Sequence, residues 1–410
     1  MTQPDHAYSD RMRATVHRSL VAAIAVALTL SACTTASDGS KATPSSSVEM
    51  PTASYSPPPD AQQTPPEAIT LGNVQPDDGI TPVIDFIESA RSTVDISIYR
   101  IDSDFAPLIE ALQRTVERGV PVRISISRQL VGQPNPPQGN SQQIVVQQQL
   151  QAKGIQVELS RPEFHYGHEK SIIIDAGTPG AKAMIADWNL QASYFGPNQY
   201  GPVGARGMAV IDTDPQDVAT IASYFDANWP PYSPYPVSTR ANLVWSPSGI
   251  EYTPVGNSVA VLTDFINGAQ ERLDIYAEYI QDNSFLIDMV IARAQAGVDV
   301  RIVANSSGQS PDMVAKLREA GIEIKFDPIY DGITSDPMFV HSKTMFADVG
   351  TDRQVAFVGS QNTFINESPE AILELGVLVR SASVIDLTHA YFETDWSTST
   401  ETQASQSASN

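Results

Sequence analysis

The segment GVPVRI at residues 119–124 recurs as GVDVRI at residues 297–302, and this recurrence decides how the chain is organised. Working outward from it, three further pairs of segments match in the same order. They are DFI at 85–87 with DFI at 264–266, VDI at 94–96 with LDI at 273–275, and YFDANW at 224–229 with YFETDW at 391–396. An internal repeat of this length predicts two structural units built from the same elements.

Each unit alternates helical segments with short β-branched runs, such as residues 122–126 and 300–303. This alternation is typical of an α/β fold in which parallel strands contribute to the sheet. Residues 230–236, PPYSPYP, cannot form a helix or a full ladder of hydrogen bonds, so they are predicted to connect the units. We therefore expect two similar α/β domains, residues 67–236 and 237–396. Each would be a mixed, largely parallel sheet flanked by helices, with the active site at their interface.

The N-terminal residues 1–33 have the order of an export signal. Three arginines precede an uncharged run at 20–30, which is shorter than the roughly 20 apolar residues of a membrane span. The run ends in LSAC at 30–33, which resembles the bacterial lipobox and implies a lipid on Cys33. A plain secretory signal that happens to contain a cysteine is the alternative. Cys33 is the only cysteine, so an internal disulfide is excluded.

Residues 34–66 and 397–410 are predicted to lie outside the folded body. Ser, Thr and Pro make up 19 of the 33 residues between 34 and 66, which is typical of a disordered stalk. The polar residues 397–410 are predicted to form a loose tail. Together with Cys33, these features predict an exported protein, anchored by lipid to the outer face of the cell membrane or envelope.

The charge of the chain argues against a nucleic-acid substrate. The chain has 25 basic and 47 acidic residues, and removing the three basic and two acidic residues of 1–33 leaves a net charge near −23. Proteins that bind nucleic acid commonly present a basic surface to the phosphates. A long polyanion is therefore a poor candidate for the substrate.

One short motif stands at matching places in the two units. Residues 168–175 read HEKSIIID and residues 341–348 read HSKTMFAD, so both follow the pattern H-x-K-x4-D. One such histidine and lysine, taken alone, is most often a solvated surface pair. Two copies at equivalent positions of a repeat make coincidence improbable.

The paired motifs resemble those of the phospholipase D superfamily, in which Gly-Ser-x-Asn follows each motif. The second unit continues with GSQN at 359–362, and its later Glu374 stands where the family often has an acid beside the histidine. The first unit has ADWN at 186–189 instead, and it has no acid that answers Glu374. Only Asn189 is retained there. The resemblance implies a phosphohistidine intermediate, most often on the first histidine of the chain.

The same residues can be interpreted without the family. Residues 171–174 and 344–347 are predicted strands, so the period of two puts the histidine and the lysine of each motif on one face. Asp175 and Asp348 lie seven residues beyond their histidines and would point the other way. Although they belong to the catalytic motif, we interpret them as groups that organise a turn.

Two such pairs around one pocket would suit a phosphodiester. Lys170 and Lys343 can balance its negative oxygens, while Asn189, Ser360 and Asn362 can donate hydrogen bonds. No metal or other cofactor is required by this scheme, and no cluster of metal ligands surrounds either motif.

The two histidines can divide the chemistry between them. We assign His168 as the nucleophile that attacks phosphorus and His341 as the acid that protonates the departing alcohol, and then as the base for water. His165 has no counterpart in the second unit, so a loop position is favoured over catalysis. His389 is predicted to be a packing or surface histidine.

Asp187 is the residue that fits this scheme least well. In place of the family's serine, an ionised carboxylate would repel the phosphate. It could instead turn outward, or act as a carboxylate partner of a histidine. Trp188 beside it is either core or pocket lining.

Four loops are candidates for the rim of the site, although ordinary surface loops have the same composition: residues 131–140, 161–167, 193–204 and 327–338.

The leading functional hypothesis is therefore hydrolysis of a phospholipid to phosphatidic acid and a free headgroup. Phosphatidyl transfer to an alcohol would use the same intermediate. A secreted nuclease of the same superfamily is a second alternative. A catalytically impaired phosphate-binding protein of the envelope is a third. Since both motifs lie in one chain, a monomer would suffice.

Overall fold

The computed structural model describes residues 63–164, 166–196, 203–248, 256–329 and 337–403. Cys33, the predicted export signal, nearly all of the predicted stalk and His165 lie outside the described residues. No helix within the described ranges is both long and apolar enough to cross a membrane.

Residues 69–228 form the first half of the described fold. Its strands are β1 (Ile69–Gln75), β2 (Val94–Ile98), β3 (Val122–Ile126), β4 (Gln156–Leu159), β5 (Ser171–Ile174), β6 (Lys182–Ala186) and β7 (Ala205–Asp212). Its helices are α1 (Thr81–Glu88), α2 (Ala106–Glu117), α3 (Ser141–Gln151) and α4 (Pro215–Asn228).

Residues 243–398 form the second half. Its strands are β8 (Leu243–Ser246), β9 (Arg272–Ala277), β10 (Asp299–Ala304), β11 (Glu323–Phe326), β12 (Phe339–Val340), β13 (Met345–Ala347), β14 (Val355–Gly359) and β15 (Glu374–Val379). Its helices are α5 (Ser258–Gly268), α6 (Phe285–Gln295), α7 (Pro311–Glu319), α8 (Glu367–Ala371) and α9 (Ala382–Thr398).

The two halves have the same strand order. The first sheet runs β1-β7-β6-β5-β2-β3-β4, and the second runs β8-β15-β14-β13-β9-β10-β11. The predicted pair of similar mixed α/β units is thus confirmed. Only the last three strands of each order are parallel, so the sheets are less parallel than expected. The reason is that short links join β5 to β6 and β13 to β14, and short links allow only antiparallel pairing.

The segment that closes each half packs against an arginine of the sheet, and this arginine binds a buried aspartate on the neighbouring strand. In the first half, Arg123 on β3 donates to Asp95 on β2 at 2.6 Å and to Asp226 on α4 at 2.9 Å. Its guanidinium also lies 4.8 Å from the ring centre of Phe225 and 5.5 Å from that of Trp229. This arrangement explains why the arginine and the segment YFDANW recur together.

The second half repeats this network and adds one histidine. Arg301 on β10 donates to Asp274 at 2.7 Å and to Glu393 on α9 at 2.6 Å. His389 Nε2 lies 2.7 Å from Asp274 Oδ2, so this histidine belongs to the structural network. The three ligand atoms of Asp274, His389 and Glu393 lie within 4.8 Å of one another, but Arg301 already neutralises both carboxylates.

Three apolar clusters form the core. One lies in each half, between the sheet and its outer helices. The third joins the halves: it contains side chains of β5 to β7, of β12 to β15, and of helices α4 and α9. A buried ion pair crosses the same region, because Arg206 on β7 binds Asp395 on α9 at 2.7 and 2.9 Å. The halves therefore share one continuous core.

The folded body extends beyond both of its predicted ends. Thr64, within the predicted stalk, is buried and donates to Asp217. At the other end, α9 continues to Thr398, and Thr400 exchanges backbone hydrogen bonds with Phe326. The predicted boundaries at Pro66 and Trp396 are thus too narrow, because contacts with the neighbouring strands extend beyond them.

The aspartates that close the two motifs organise turns. Asp175 accepts hydrogen bonds from the backbone N–H groups of residues 91–93, and Asp348 accepts them from those of residues 270–272. Both have positive φ, 56° and 52°. Burial acts to raise the pKa of Asp348, but its backbone donors outweigh burial and hold that pKa below its ordinary value of 3.8. Both aspartates thus bind turns, in agreement with the interpretation from strand period.

We expect Asp348→Ala to lower the free energy of unfolding by about 2 to 3 kcal/mol at pH 7, since it removes a charged acceptor of several N–H groups. The folded-state pKa is depressed, so this contribution is present above the unfolded pKa and is lost as the pH falls through the folded value. Urea unfolding at pH 7 and at pH 3 should therefore show a difference between parent and variant that shrinks at pH 3. The control Asp348→Asn tolerates the positive φ and removes only the charge. An alanine variant as stable as the parent at pH 7 would contradict this role.

Candidate active site

The two histidine motifs are held together by reciprocal backbone hydrogen bonds. The N–H groups of His168 and Glu169 donate to the carbonyl of Leu373 at 2.8 and 2.9 Å, and Leu373 immediately precedes β15 of the other half. At the equivalent place in the second motif, the N–H of His341 donates to the carbonyl of Arg206 on β7 at 3.1 Å. Strand β12, which directly precedes His341, pairs with β7. Each motif is therefore fixed against the last strand of the opposite sheet.

The two lysines lie inside this interface. Lys170 Nζ donates to the carbonyl of His168 at 2.7 Å, and Lys343 Nζ donates to that of His341 at 2.5 Å. Their side chains are almost fully buried. Burial and the nearby charge of Lys343 both lower the pKa of Lys170 well below its ordinary value. An anion bound beside both lysines would favour their ammonium forms, so this pair suits an anionic ligand.

His168 has a carboxylate partner. Its Nδ1 lies 2.6 Å from Glu374 Oε1, and the other carboxylate oxygen accepts from Ser368 Oγ at 2.7 Å. Burial raises the pKa of Glu374 well above its ordinary value, while the hydrogen bond from Ser368 and the charges of Lys170 and Lys343 favour its ionised form. The ionised carboxylate accepts a hydrogen bond from Nδ1–H, which leaves Nε2 with its lone pair. Burial lowers the pKa of His168 well below 6.5, and the charges of Lys170 and Lys343 lower it further. A neutral, oriented imidazole is the state that a nucleophile needs.

His341 is held differently. Its Nδ1 is buried without a hydrogen-bond partner, and its Nε2 lies 3.6 Å from Glu278 Oε2. The ring of Tyr194 packs edge-on against it, with centroids 4.8 Å apart. Burial lowers the pKa of His341 well below 6.5, and the charges of Lys343 and Lys170 add to this effect. The ring is thus positioned without being bound at Nδ1.

Sequence reasoning missed Glu278 and Tyr99, and it named Tyr194 only as part of a rim loop. Glu278 binds Lys343 Nζ at 2.5 Å. Tyr99 stands at the equivalent position of the first half, where its ring centroid lies 4.9 Å from that of His168 and 5.6 Å from Lys170 Nζ. Both residues directly follow the repeated β2 and β9 strands. Extending the match of VDI with LDI by three residues would have pointed to them.

The predicted phosphate-binding residues fall into two groups. Asn189 and Asn362 each have a buried side-chain Oδ1 without a hydrogen-bond partner, and Asn189 Nδ2 donates to Tyr194 Oη at 3.3 Å. Asn362 also lines a small cavity beside Glu278 and Lys343, with room for about one water. Ser360 differs, because its hydroxyl both donates to and accepts from the backbone of Leu375 at 3.2 Å. The predicted contact of Ser360 with substrate is therefore not what this geometry provides.

Asp187 is fully buried, and both of its carboxylate oxygens accept hydrogen bonds from groups other than the histidine rings. Its Oδ1 accepts from the N–H of Met208 at 2.7 Å, and its Oδ2 accepts from Ser342 Oγ at 2.6 Å. Burial raises its pKa, while the charge of Lys343 and its hydrogen bonds act in the opposite direction. Because both oxygens bind donors of the fold, Asp187 does not take the place of a phosphate ligand. Trp188 is likewise buried, in the core of the first half.

The structure thus brings together His168, Lys170, His341, Lys343 and Glu374, with Asn189 and Asn362 beside them. It does not bring Asp175 or Asp348 to the same place. A paired set of imidazoles and ammonium groups can bind a phosphodiester, attack phosphorus and transfer a proton.

Comparisons with known proteins agree with the fold. A phosphatidylserine synthase from Haemophilus influenzae Rd KW20 superimposes with a TM-score of 0.58 at 11% identity, over 81% of this chain and 87% of that one. A polyphosphate kinase from Porphyromonas gingivalis gives a TM-score of 0.58 at 16% identity over 79% of this chain, which spans only 46% of the kinase. No curated protein matches the sequence.

The family model described as cardiolipin synthase, PLD-like domain, matches twice, at residues 83–229 and 262–396. These two matches cover well over half of the 410 residues, and each contains one H-x-K-x4-D motif. The chain therefore belongs to the family of phospholipase D-like domains found in cardiolipin synthases.

Proposed function

We propose that this chain is a phospholipase D-type hydrolase that cleaves a phospholipid to phosphatidic acid and a free headgroup. The observation that carries this proposal is the pairing of His168 with Glu374 beside two buried lysines and a second histidine. The family consists of phosphodiesterases and phosphatidyltransferases, and the fold match includes a phosphatidylserine synthase. The formal net charge of −22 disfavours a polyanionic substrate such as DNA.

In the proposed first step, His168 Nε2 attacks phosphorus and the bond from phosphorus to the headgroup oxygen breaks. His341, protonated when the anionic substrate binds, gives its proton to the departing oxygen. Lys170 and Lys343 balance the charge on the non-bridging oxygens. The products are a phosphohistidine on His168 and a neutral alcohol.

In the proposed second step, neutral His341 takes a proton from water. The water oxygen attacks phosphorus, the bond from phosphorus to His168 Nε2 breaks, and the electron pair returns to the imidazole. An alcohol in place of water would give phosphatidyl transfer by the same route. With a lipid on Cys33, the enzyme would act at the outer face of a membrane.

We expect residues 34–410 to release headgroup from phosphatidylcholine micelles in the presence of chelator, and to form phosphatidylethanol when ethanol is added. His168→Ala and His341→Ala should each lower kcat by at least about 10³-fold, since each removes a group that one of the two steps requires. Protein-bound phosphorus that survives a base quench but not an acid quench should mark a phosphohistidine in the His341→Ala variant, and its loss on adding His168→Ala should assign it to His168. His389→Ala is the matched control, because His389 lies in the structural network of α9. No turnover across several phospholipids would refute the proposal and direct the search to plasmid DNA.

The pH dependence follows from the two depressed histidine pKa values. At pH 7 both imidazoles of the free enzyme are neutral, which suits His168 but leaves little protonated His341. We therefore expect kcat/KM for phosphatidylcholine to increase as the pH falls from 8 to 6.5. A 4-nitrophenyl diester, whose leaving group needs no proton, should show a flatter profile. A phospholipid rate that rises from pH 6.5 to 8 would contradict the assignment of His341 as the acid.

A further inference from the structure

The two halves carry different residues at two matched positions beside the motifs. The β6–β7 and β14–β15 ladders have the same register, so Asp187 matches Ser360 and Gly207 matches Glu374. The second half therefore has a serine and an acid where the first half has an acid and a glycine. An acid is present near both motifs, but it is carried by different strands.

One oxygen of Asp187 performs the task of the serine hydroxyl. In the second half, Ser360 N–H donates to the carbonyl of Leu375, and Leu375 N–H donates back to Ser360 Oγ at 3.2 Å. In the first half, Asp187 N–H donates to the carbonyl of Met208, and Met208 N–H donates back to Asp187 Oδ1 at 2.7 Å. The local bond that joins the two strands is thus conserved between the halves.

The other oxygen of Asp187 reaches across to the second motif. Its Oδ2 accepts from Ser342 Oγ at 2.6 Å, from the N–H of Lys343 at 3.2 Å and from Thr344 Oγ1 at 3.3 Å. These three donors are consecutive residues of the motif that carries His341. A serine at position 187 could not make these contacts together with the bond to Met208, because it has one oxygen.

The space that Asp187 occupies explains the glycine at position 207. A Cβ at Gly207 would lie 2.8 Å from Asp187 Oδ1 and 3.0 Å from Trp188 Cδ1. Any side chain at position 207, including an acid that answered Glu374, would displace the Asp187 carboxylate. As a result His168 has a carboxylate at Nδ1, whereas His341 has no partner at Nδ1.

We propose that Asp187 is a positioning residue that replaces the missing acid of the first half by binding the hydroxyls of Ser342 and Thr344 and the N–H of Lys343 instead of the ring of His341. This fixes where His341 and Lys343 stand and leaves the imidazole free of a bond at Nδ1. The kinetic consequence rests on the proposed function, because it concerns the step in which His341 acts as a base. Loss of Asp187 should impair His341 and spare the attack by His168.

The two steps can be separated with bis(4-nitrophenyl) phosphate, because 4-nitrophenolate leaves without a proton from His341. In stopped-flow measurements, Asp187→Ser should keep the rate and amplitude of the nitrophenolate burst within about twofold. The steady-state rate that follows, which needs His341 to activate water, should fall at least about tenfold. A merely structural role would lower the burst and the steady state by the same factor, through the folded fraction, and that result would overturn the proposal.

Three further variants sharpen this test. Asp175→Asn is the matched control: it removes a carboxylate that binds backbone N–H groups at a turn, so burst and steady state should change together. Gly207→Ala leaves the Asp187 carboxylate in the chain but displaces it, and should reproduce the Asp187→Ser result. Ser342→Ala removes the shortest contact of Asp187 Oδ2, so its losses and those of Asp187→Ser should be less than additive. Additive losses would show that Asp187 acts elsewhere.

Amide hydrogen exchange tests the contact without any turnover. In Asp187→Ser, the segment 341–345 should exchange at least about tenfold faster, while segment 168–172 should be unchanged. Unchanged exchange at 341–345 would overturn the positioning role. If the parent protein cleaves no phosphodiester, the proposed function fails, and the exchange measurement still decides whether Asp187 holds the second motif.

Discussion

The site depends on the backbone hydrogen bonds that fix each motif to the opposite half: His168 N–H donates to Leu373, just before β15, and His341 N–H donates to Arg206 on β7. Neither half can place its own histidine, because each motif is completed by a carbonyl that belongs to the other repeat. The shared apolar cluster between the sheets and the buried pair of Arg206 with Asp395 hold those strands in register. Loss of either partner of this pair would leave an unpaired buried charge, so the contact between the halves depends on both residues.

The frame is symmetric, but the site is not. Strand orders, turn aspartates and the arginine networks of the inner faces repeat almost residue for residue. Around the histidines the halves differ at three matched positions, where Tyr99 answers Glu278, Asp187 answers Ser360 and Gly207 answers Glu374. Glu278 gives Lys343 an anionic partner and Glu374 gives one to His168, whereas Asp187 binds N–H groups and hydroxyls of the two sheets. The asymmetry thus lies in the charges of the site, while the backbone remains that of a duplicated unit.

The sequence alone predicted the repeat, the α/β class and the residues of the two motifs, because these depend on periodicity and on matching segments. It also predicted that Asp175 and Asp348 organise turns, since a strand period of two placed them on the opposite face. It overestimated the parallel share of the sheets, because strand direction depends on links between strands that periodicity does not report. The roles of Asp187 and Glu278 were beyond it, since both depend on contacts between segments far apart in the chain. The lipid on Cys33 stays a prediction.

The joining of both repeats in one chain has a further consequence. In an assembly of two identical subunits, every substitution near the symmetry axis appears twice, so an acid gained beside one histidine is also gained beside the other. Here residues 99 and 278 are encoded separately, and so are residues 207 and 374. Each can change while its counterpart stays the same. Duplication within a single polypeptide therefore allowed two equivalent imidazoles to acquire unequal surroundings, which no arrangement of identical copies permits.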